Sequence, residues 1–352
     1  MNPAPADPSG APEPVTDPAP AHFTVIDLLF GADGLRAPWG ILLFHILRIV
    51  LLGYCAFPFL AKLFPGMTGA TLFSKPASML TYEGAALLAV AAATWLMAKI
   101  ERRPVAVFGL GGNHRLRNFL AGLAWGGALL SLLVFSLRAT GLLVFDGRLL
   151  SGRSALRYGS IWLIGFLFVG MFEEYLFRGY LQFTLARMIR DIFGWFRSYA
   201  SGTPAAPLLT PRLDAFSFWI AALLLSCYFS LDHTTNPGES PLGLVAVVLI
   251  GLVFSLSLWR TGSLWWAMGF HASWDWAQSF LYGVADSGSV VDGRLYATHP
   301  VGRPILSGGL TGPEGSFFIV PIVALIAAVV LLTLPRTRAL TPVASTEPPS
   351  LD

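Results

Sequence analysis

Apolar residues in this chain come in long blocks rather than in the alternation of a half-buried strand. Eight blocks approach the ~20 residues a helix needs to cross a hydrocarbon core of about 30 Å: 41–60, 84–99, 119–137, 160–182, 215–231, 242–258, 263–282 and 317–334. The pattern predicts an all-α polytopic membrane protein with eight transmembrane helices. Before the first block, residues 24–39 mix apolar residues with Gly and Pro breaks, which predicts a segment lying at the membrane surface.

Composition points the same way. Hydrophobic residues make up 55% and charged residues 12% of the 352 positions, about half the charged fraction of a soluble chain. The mean hydropathy is +0.64. Basic and acidic residues are 23 and 20 and scattered, which argues against a nucleic-acid partner. Basic residues are more numerous in the connections on the N-terminal side of the alternation, so the N-terminus is expected in the cytoplasm. Cys55 and Cys227 both fall in apolar runs and form no disulfide framework.

The chain divides into a Pro/Ala-rich tail at 1–24, expected to be disordered, a membrane domain at 25–334 with a core at about 155–283, and a flexible tail at 335–352. The first charge is Asp7 and the first basic residue Arg36, so no cleaved secretory signal is expected.

A charge at mid-bilayer costs at least about 2.5 kcal/mol, so each one needs a reason. Three blocks hold most of them. The fourth carries Glu173, Glu174 and Arg178, the fifth ends with Asp232 and His233, and the seventh carries His271 and Asp275. His45 and Arg48 in the first block, and the Gly122/Gly126 pair in the third, read as packing features. Glu174 and Arg178 are four apart and share a helix face. Glu173 is turned about 100° away, so one carboxylate is neutralised while its neighbour is left for other work. The Glu174–Arg178 pair taken alone is equally a structural ion pair. His271 and Asp275, and likewise Phe229 and His233, repeat the four-residue spacing. Trp265, Trp266, Trp274 and Trp276 are open to reading as an interfacial belt.

A carboxylate and two histidines on separate helices can form a hydrolytic centre. Glu173 would be the general base on water, His233 would help hold that water, and His271 would face the developing oxyanion. Glu173, His233 and His271 can equally be a zinc set with an open position for water. The chain has no H-E-x-x-H or G-x-S-x-G motif and no aspartyl-protease pair.

At these residues the chain resembles the CPBP family, which includes the prenyl-protein (CAAX) endoproteases and bacteriocin self-immunity proteins. Glu173-Glu174-Tyr-Leu-Phe-Arg178 matches its E-E-x-x-x-R motif. Phe229-Ser-Leu-Asp-His233 matches F-x-x-x-H, and His271-Ala-Ser-Trp-Asp275 matches H-x-x-x-(N/D). The resemblance covers roughly residues 155–283. It implies an intramembrane endopeptidase with its site among helices 4, 5 and 7, acting on a membrane-associated peptide or protein in contact with lipid, in a bacterial inner membrane. Glu173, Glu174, His233, His271 and Asp275 would be the catalytic set, supported by Arg178 and Phe229. Asp275 departs from the commoner Asn: an ionised Asp cannot donate to an oxyanion, so it would be protonated, orient His271 or bind a metal. The alternatives are a non-catalytic binding or self-immunity protein using the same cluster, and a proton-coupled transporter. Simple hairpin counting puts His233 near one end of its span and His271 about 12 Å in from the other. The two can meet only if the fifth helix is tilted, broken or deeply entered, or if its boundary is misplaced.

Overall fold

Helix boundaries follow local chemistry. Pro38, Pro76 and Pro241 each stand in the first turn of a helix, where a missing N–H costs nothing. Ser240 caps the last of these by accepting from Gly243 N–H at 3.1 Å. Gly262 ends the same helix in the left-handed conformation that glycine adopts without penalty.

The structure, a computed structural model, describes residues 26, 29–31, 34–66, 73–201 and 211–335. The two tails expected at 1–24 and 335–352 lie, save for residue 335, outside the described residues. The helices are α1 (Ala37–Ile49), α2 (Phe57–Leu63), α3 (Pro76–Ile100), α4 (Arg115–Ala139), α5 (Gly152–Glu174), α6 (Gln182–Ser201), α7 (Pro211–Asp232), α8 (Pro241–Thr261), α9 (Trp265–Trp276), α10 (Pro304–Ser307) and α11 (Ile319–Thr333). The chain is an all-α polytopic membrane protein. Six helical stretches are long and apolar enough to cross a bilayer: Ala37–Leu63, Pro76–Ile100, Arg115–Ala139, Gly152–Arg197, Leu213–Thr235 and Pro241–Thr261. The other two expected spans are shorter. α11 has 15 residues, and α9 has 12 with a five-residue π-helical extension, Ala277–Leu281.

Three helical runs pass through π-helical turns, and two of these turns adjoin the polar residues. α5 continues through Tyr175–Leu181 into α6, with Gly179 off helical geometry at ψ −106°. The fourth block therefore does not end at 182, as the hydropathy suggested, but runs on as one kinked rod. The extension of α9 begins two residues after Asp275. Such i→i+5 turns re-aim side chains and are common at functional sites.

Small residues let the site helices touch. A Cβ on Gly122 or Gly126 of α4 would collide with the carbonyl oxygens of Trp266 and Phe270 on α9, and one on Gly269 with that of Phe119. The glycine pair read as packing in the sequence thus holds α9 against α4, backbone to backbone. Gly170 does the same between α5 and α9: its Cβ would lie 2.9 Å from both Ala272 N and Met268 O. That contact brings the glutamates of α5 beside His271.

Two short antiparallel ribbons accompany the helices, which hydropathy had not marked. One pairs β1 (Phe30–Gly31) with β2 (Gly34–Leu35). The other pairs β3 (Leu143–Arg148) with β4 (Tyr296–Pro300). The second ribbon ties the connection after α9 to the one after α4. That connection is an ordered roof: Asp292 N–H donates to Ser74 O, Gly288 N–H to Thr311 O, and the Thr311 hydroxyl to Gly238 O.

Candidate active site

Helix α5 delivers Glu173 and Glu174 at its C-terminal end, and the π turn that follows presents Arg178. Glu174 is fully buried. Its Oε1 accepts from Arg178 Nη1 at 3.1 Å and lies 3.1 Å from His271 Nδ1. A carboxylate only accepts, so this geometry places the Nδ1 hydrogen between His271 and Glu174. The guanidinium of Arg178 lies over the Phe229 ring at 4.7 Å, with the rings of Phe177 and Phe254 each at 5.8 Å. Aromatic faces stabilise a cation that water cannot reach.

The committed carboxylate is therefore Glu174, and Glu173 is the one left facing open space. Its side chain is 23% exposed, and its Oε2 lies 3.5 Å from His271 Nε2. Asp275 Oδ2 stands 3.5 Å from the same nitrogen. One imidazole is thus fenced by three carboxyl groups, two from α5 and one from its own helix.

His233 arrives differently. α7 ends at Asp232, and His233 opens the 3-10 turn His233–Thr235. Its Nδ1 lies 2.8 Å from Phe229 O. A carbonyl cannot donate, so Nδ1 carries the hydrogen and Nε2 is turned elsewhere. The Phe229 ring stands 4.6 Å from the His233 ring and 6.4 Å from the His271 ring. It also roofs Arg178. The aromatic residue of the second motif is the hub on which the two histidines and the arginine pack.

Glu173, Phe229, His233, His271 and Asp275 all line one cavity of about 270 Å³. Both histidines reach this one space, their rings within 6.4 Å of the Phe229 ring, although α7 is unbroken to Asp232. Among the described residues His233 makes no hydrogen bond to Glu173 or His271, whereas Glu173, Glu174 and Asp275 gather directly round His271.

Four further acids line the cavity: Glu83 of α3, Asp232, and Asp286 and Glu314 from the connection after α9. Glu83 stands at the start of the second apolar block, one residue before its expected boundary at 84, and no motif drew attention to it. Asp286 and Glu314 sit in a Gly-rich connection and gave no signal. The Ser279 hydroxyl donates to Asp286 at 2.8 Å, and Trp274 Nε1–H donates to Glu314 at 2.6 Å. Burial pushes Asp286 up to about 6, and burial together with the nearby Asp286 carboxyl pushes Glu314 up to about 8. Glu239, at the foot of α8, is also raised, chiefly by burial.

The tryptophans are not a lipid-facing belt. Trp266 is wholly buried, Trp274 is held by Glu314, and Trp276 donates to Gly159 O at 2.9 Å. Among the described residues no three His, Cys, Asp or Glu side chains are clustered to hold a metal ion, the Glu173, His233 and His271 set included.

No curated protein and no solved structure was found to match the chain. Residues 155–277 match the family described as Type II CAAX prenyl endopeptidase Rce1-like. The stretch contains the E-E-x-x-x-R, F-x-x-x-H and H-x-x-x-D residues that gather round the cavity, and leaves out Glu83, Asp286 and Glu314. By that match and those motifs, this part of the chain, about a third of its length, is similar to the CAAX protease family.

Proposed function

We propose that the protein is an intramembrane endopeptidase that hydrolyses a peptide bond of a membrane-associated protein or peptide. The observation that carries this reading is the sharing of one buried cavity by Glu173, His233 and His271, with Glu173 the carboxylate of its pair not tied to Arg178. Glu173 takes a proton from water as the oxygen attacks the scissile carbonyl carbon, with the His233 Nε2 lone pair orienting that water. The developing oxyanion meets His271 Nε2, which donates when the ring is protonated. Collapse of the tetrahedral intermediate breaks the C–N bond, and Glu173 returns the proton to the leaving amine. Glu174, held by Arg178, fixes the Nδ1 side of His271, and Asp275 borders its Nε2 side.

General-base catalysis is worth about 10²–10⁴ in rate, and an oxyanion donor about 10²–10³. Glu173→Gln is therefore expected to lower kcat by at least about 10²-fold on a membrane-delivered peptide while leaving thermal unfolding unchanged. Cleavage at the wild-type rate by that variant would remove the assignment.

A further inference from the structure

Charge in the cavity is one-sided. Glu83, Glu173, Asp232, Asp275, Asp286 and Glu314 line it with two histidines, and among the described residues no lysine or arginine lines it. Arg178, the nearest cation to the catalytic groups, is screened by Phe229 and spent on Glu174. Acids alone would not make a site, since each can be neutralised by a proton. Glu83 supplies the second observation. It is 4% exposed, its Oε2 is buried with no hydrogen-bond partner among the described residues, and the residue lines the cavity from α3, the helix packed against α5. Burying a carboxyl oxygen without a partner is costly, and a structural ion pair would have brought its cation along.

The surroundings of Glu83 suit a long, slender cation. Phe73, Met79 and Phe166 line the same cavity and offer an apolar wall, against which a methylene stem can lie while its charged head reaches an acid. At about 270 Å³ the space lies at the small end of ligand pockets, enough for one side chain beside the reacting bond.

We propose that the cavity beside Glu83 is a specificity subsite for a lysine or arginine side chain of the substrate, with Glu83 as its direct counter-ion and Asp286 and Glu314, which line the same cavity, adding to the negative field that draws the cation in. The subsite rests on the peptidase reading above. It adds to that reading a preference that the family match, which excludes all three residues, does not supply.

The test has two arms, both on the full chain in nonionic micelles. In the first, a lysine is stepped through the three residues on each side of the scissile bond of an otherwise neutral membrane-anchored peptide. One position is expected to raise kcat/KM at least tenfold, Glu83→Gln to abolish that preference, and Glu83→Lys to transfer it to a glutamate-bearing peptide. A flat scan, or a preference that survives Glu83→Gln, overturns the subsite. In the second arm, binding of octylguanidinium is compared with that of its neutral isostere octylurea. The cation is expected to bind at least tenfold tighter to the wild type and to Glu173→Gln, and no tighter to Glu83→Gln; equal affinity in the wild type overturns the proposal. The second arm needs no catalysis, so a protein that cleaves nothing yet discriminates the two amphiphiles sinks the peptidase reading and keeps the subsite. Should Glu83→Gln fail to fold, the double variant Asp286→Asn, Glu314→Gln replaces it, with at least a threefold fall in cation preference expected and an unchanged preference counting against the proposal.

Discussion

Two groups of acids, one at the C-terminal end of α3 and one round the cavity, are built on different rules. At the end of α3, Glu101 is 5% exposed and surrounded by cations and a donor. Arg187 stands 3.0 Å away, Arg103 3.4 Å away, and the Tyr180 hydroxyl donates to it at 2.5 Å. Charge is matched, and the network pins the α5–α6 rod beside its kink. Round the cavity stand six carboxyl groups, with Glu83 and Asp275 buried and Asp232 exposed, and two imidazoles; among the described residues no lysine or arginine lines it. An acid buried with its cations is part of the scaffold. Acids buried without them leave a site to be completed by a proton, a water or a ligand. Glu174 stands between the two cases, matched by Arg178 and yet in contact with the reactive histidine.

Substitutions in the two groups should therefore fail in different ways. The largest effect is expected in the matched group. Glu101→Ala leaves Arg187 buried without its partner and should cost about 3–5 kcal/mol of stability, read as a fall in Tm, while the protein that remains folded keeps its cleavage rate. If the variant unfolds normally and loses activity instead, the division between scaffold and site is wrong. Next comes the joint between α5 and α9. Gly170→Ala must push apart backbones that a Cβ would approach to 2.9 Å. A displacement near 1 Å at a catalytic constellation costs about 10²-fold, so kcat should fall by that order with little change in KM.

A smaller effect is expected from pH. Glu314 is held at about 8, and Asp286 at about 6, against an ordinary value near 4 for both. The folded state thus binds more protons than the unfolded one across this window. The stability these groups contribute is present in full below about pH 4 and is lost as pH rises through 6 and then 8. The charged and titratable groups around them are Glu173, Asp275, His271, His233 and Glu239, so the curve belongs to the set. Tm should decline between pH 5 and pH 8.5, and Glu314→Gln, which can still accept from Trp274, should flatten the upper half of that decline. An unchanged slope in the variant would show that Glu314 is not the group responsible. The smallest effect is expected from chelation. With no three ligating side chains clustered among the described residues, cleavage should persist after exhaustive treatment with a chelator. Loss of activity restored by zinc would return Glu173, His233 and His271 to the role of ligands.

Much of this architecture was legible before any coordinates. Blocks of apolar residues near 20 long fix helices in a bilayer because the backbone there must satisfy its own hydrogen bonds, and all eight blocks are helical in the structure. Spacing also separated Glu173 from Glu174, since the four residues from Glu174 to Arg178 return a helix to one face and the five from Glu173 do not. Which of the two faces the cavity was a matter of consequence rather than proof: Arg178 could pair with Glu174, and the structure shows that it does.

What the linear pattern could not carry is the meeting of distant segments. The depth mismatch between His233 and His271 looked like a conflict because hairpin counting treats spans as equal upright rods. In the fold α9 is short, α5 bends through a π turn, and both histidines line one cavity. Asp286 and Glu314 join the site through a connection whose course depends on the β3–β4 ribbon and on the Thr311–Gly238 and Asp292–Ser74 bonds, contacts between segments far apart in the chain. Glu83 stood at the edge of an apolar block with no partner to name, and its Oε2 has none among the described residues. Periodicity and burial cost are local properties, so sequence alone determined the helices and flagged most of the charges within them. Enclosure is a property of several segments at once, so only the tertiary structure decided which charges share one space and which are neutralised.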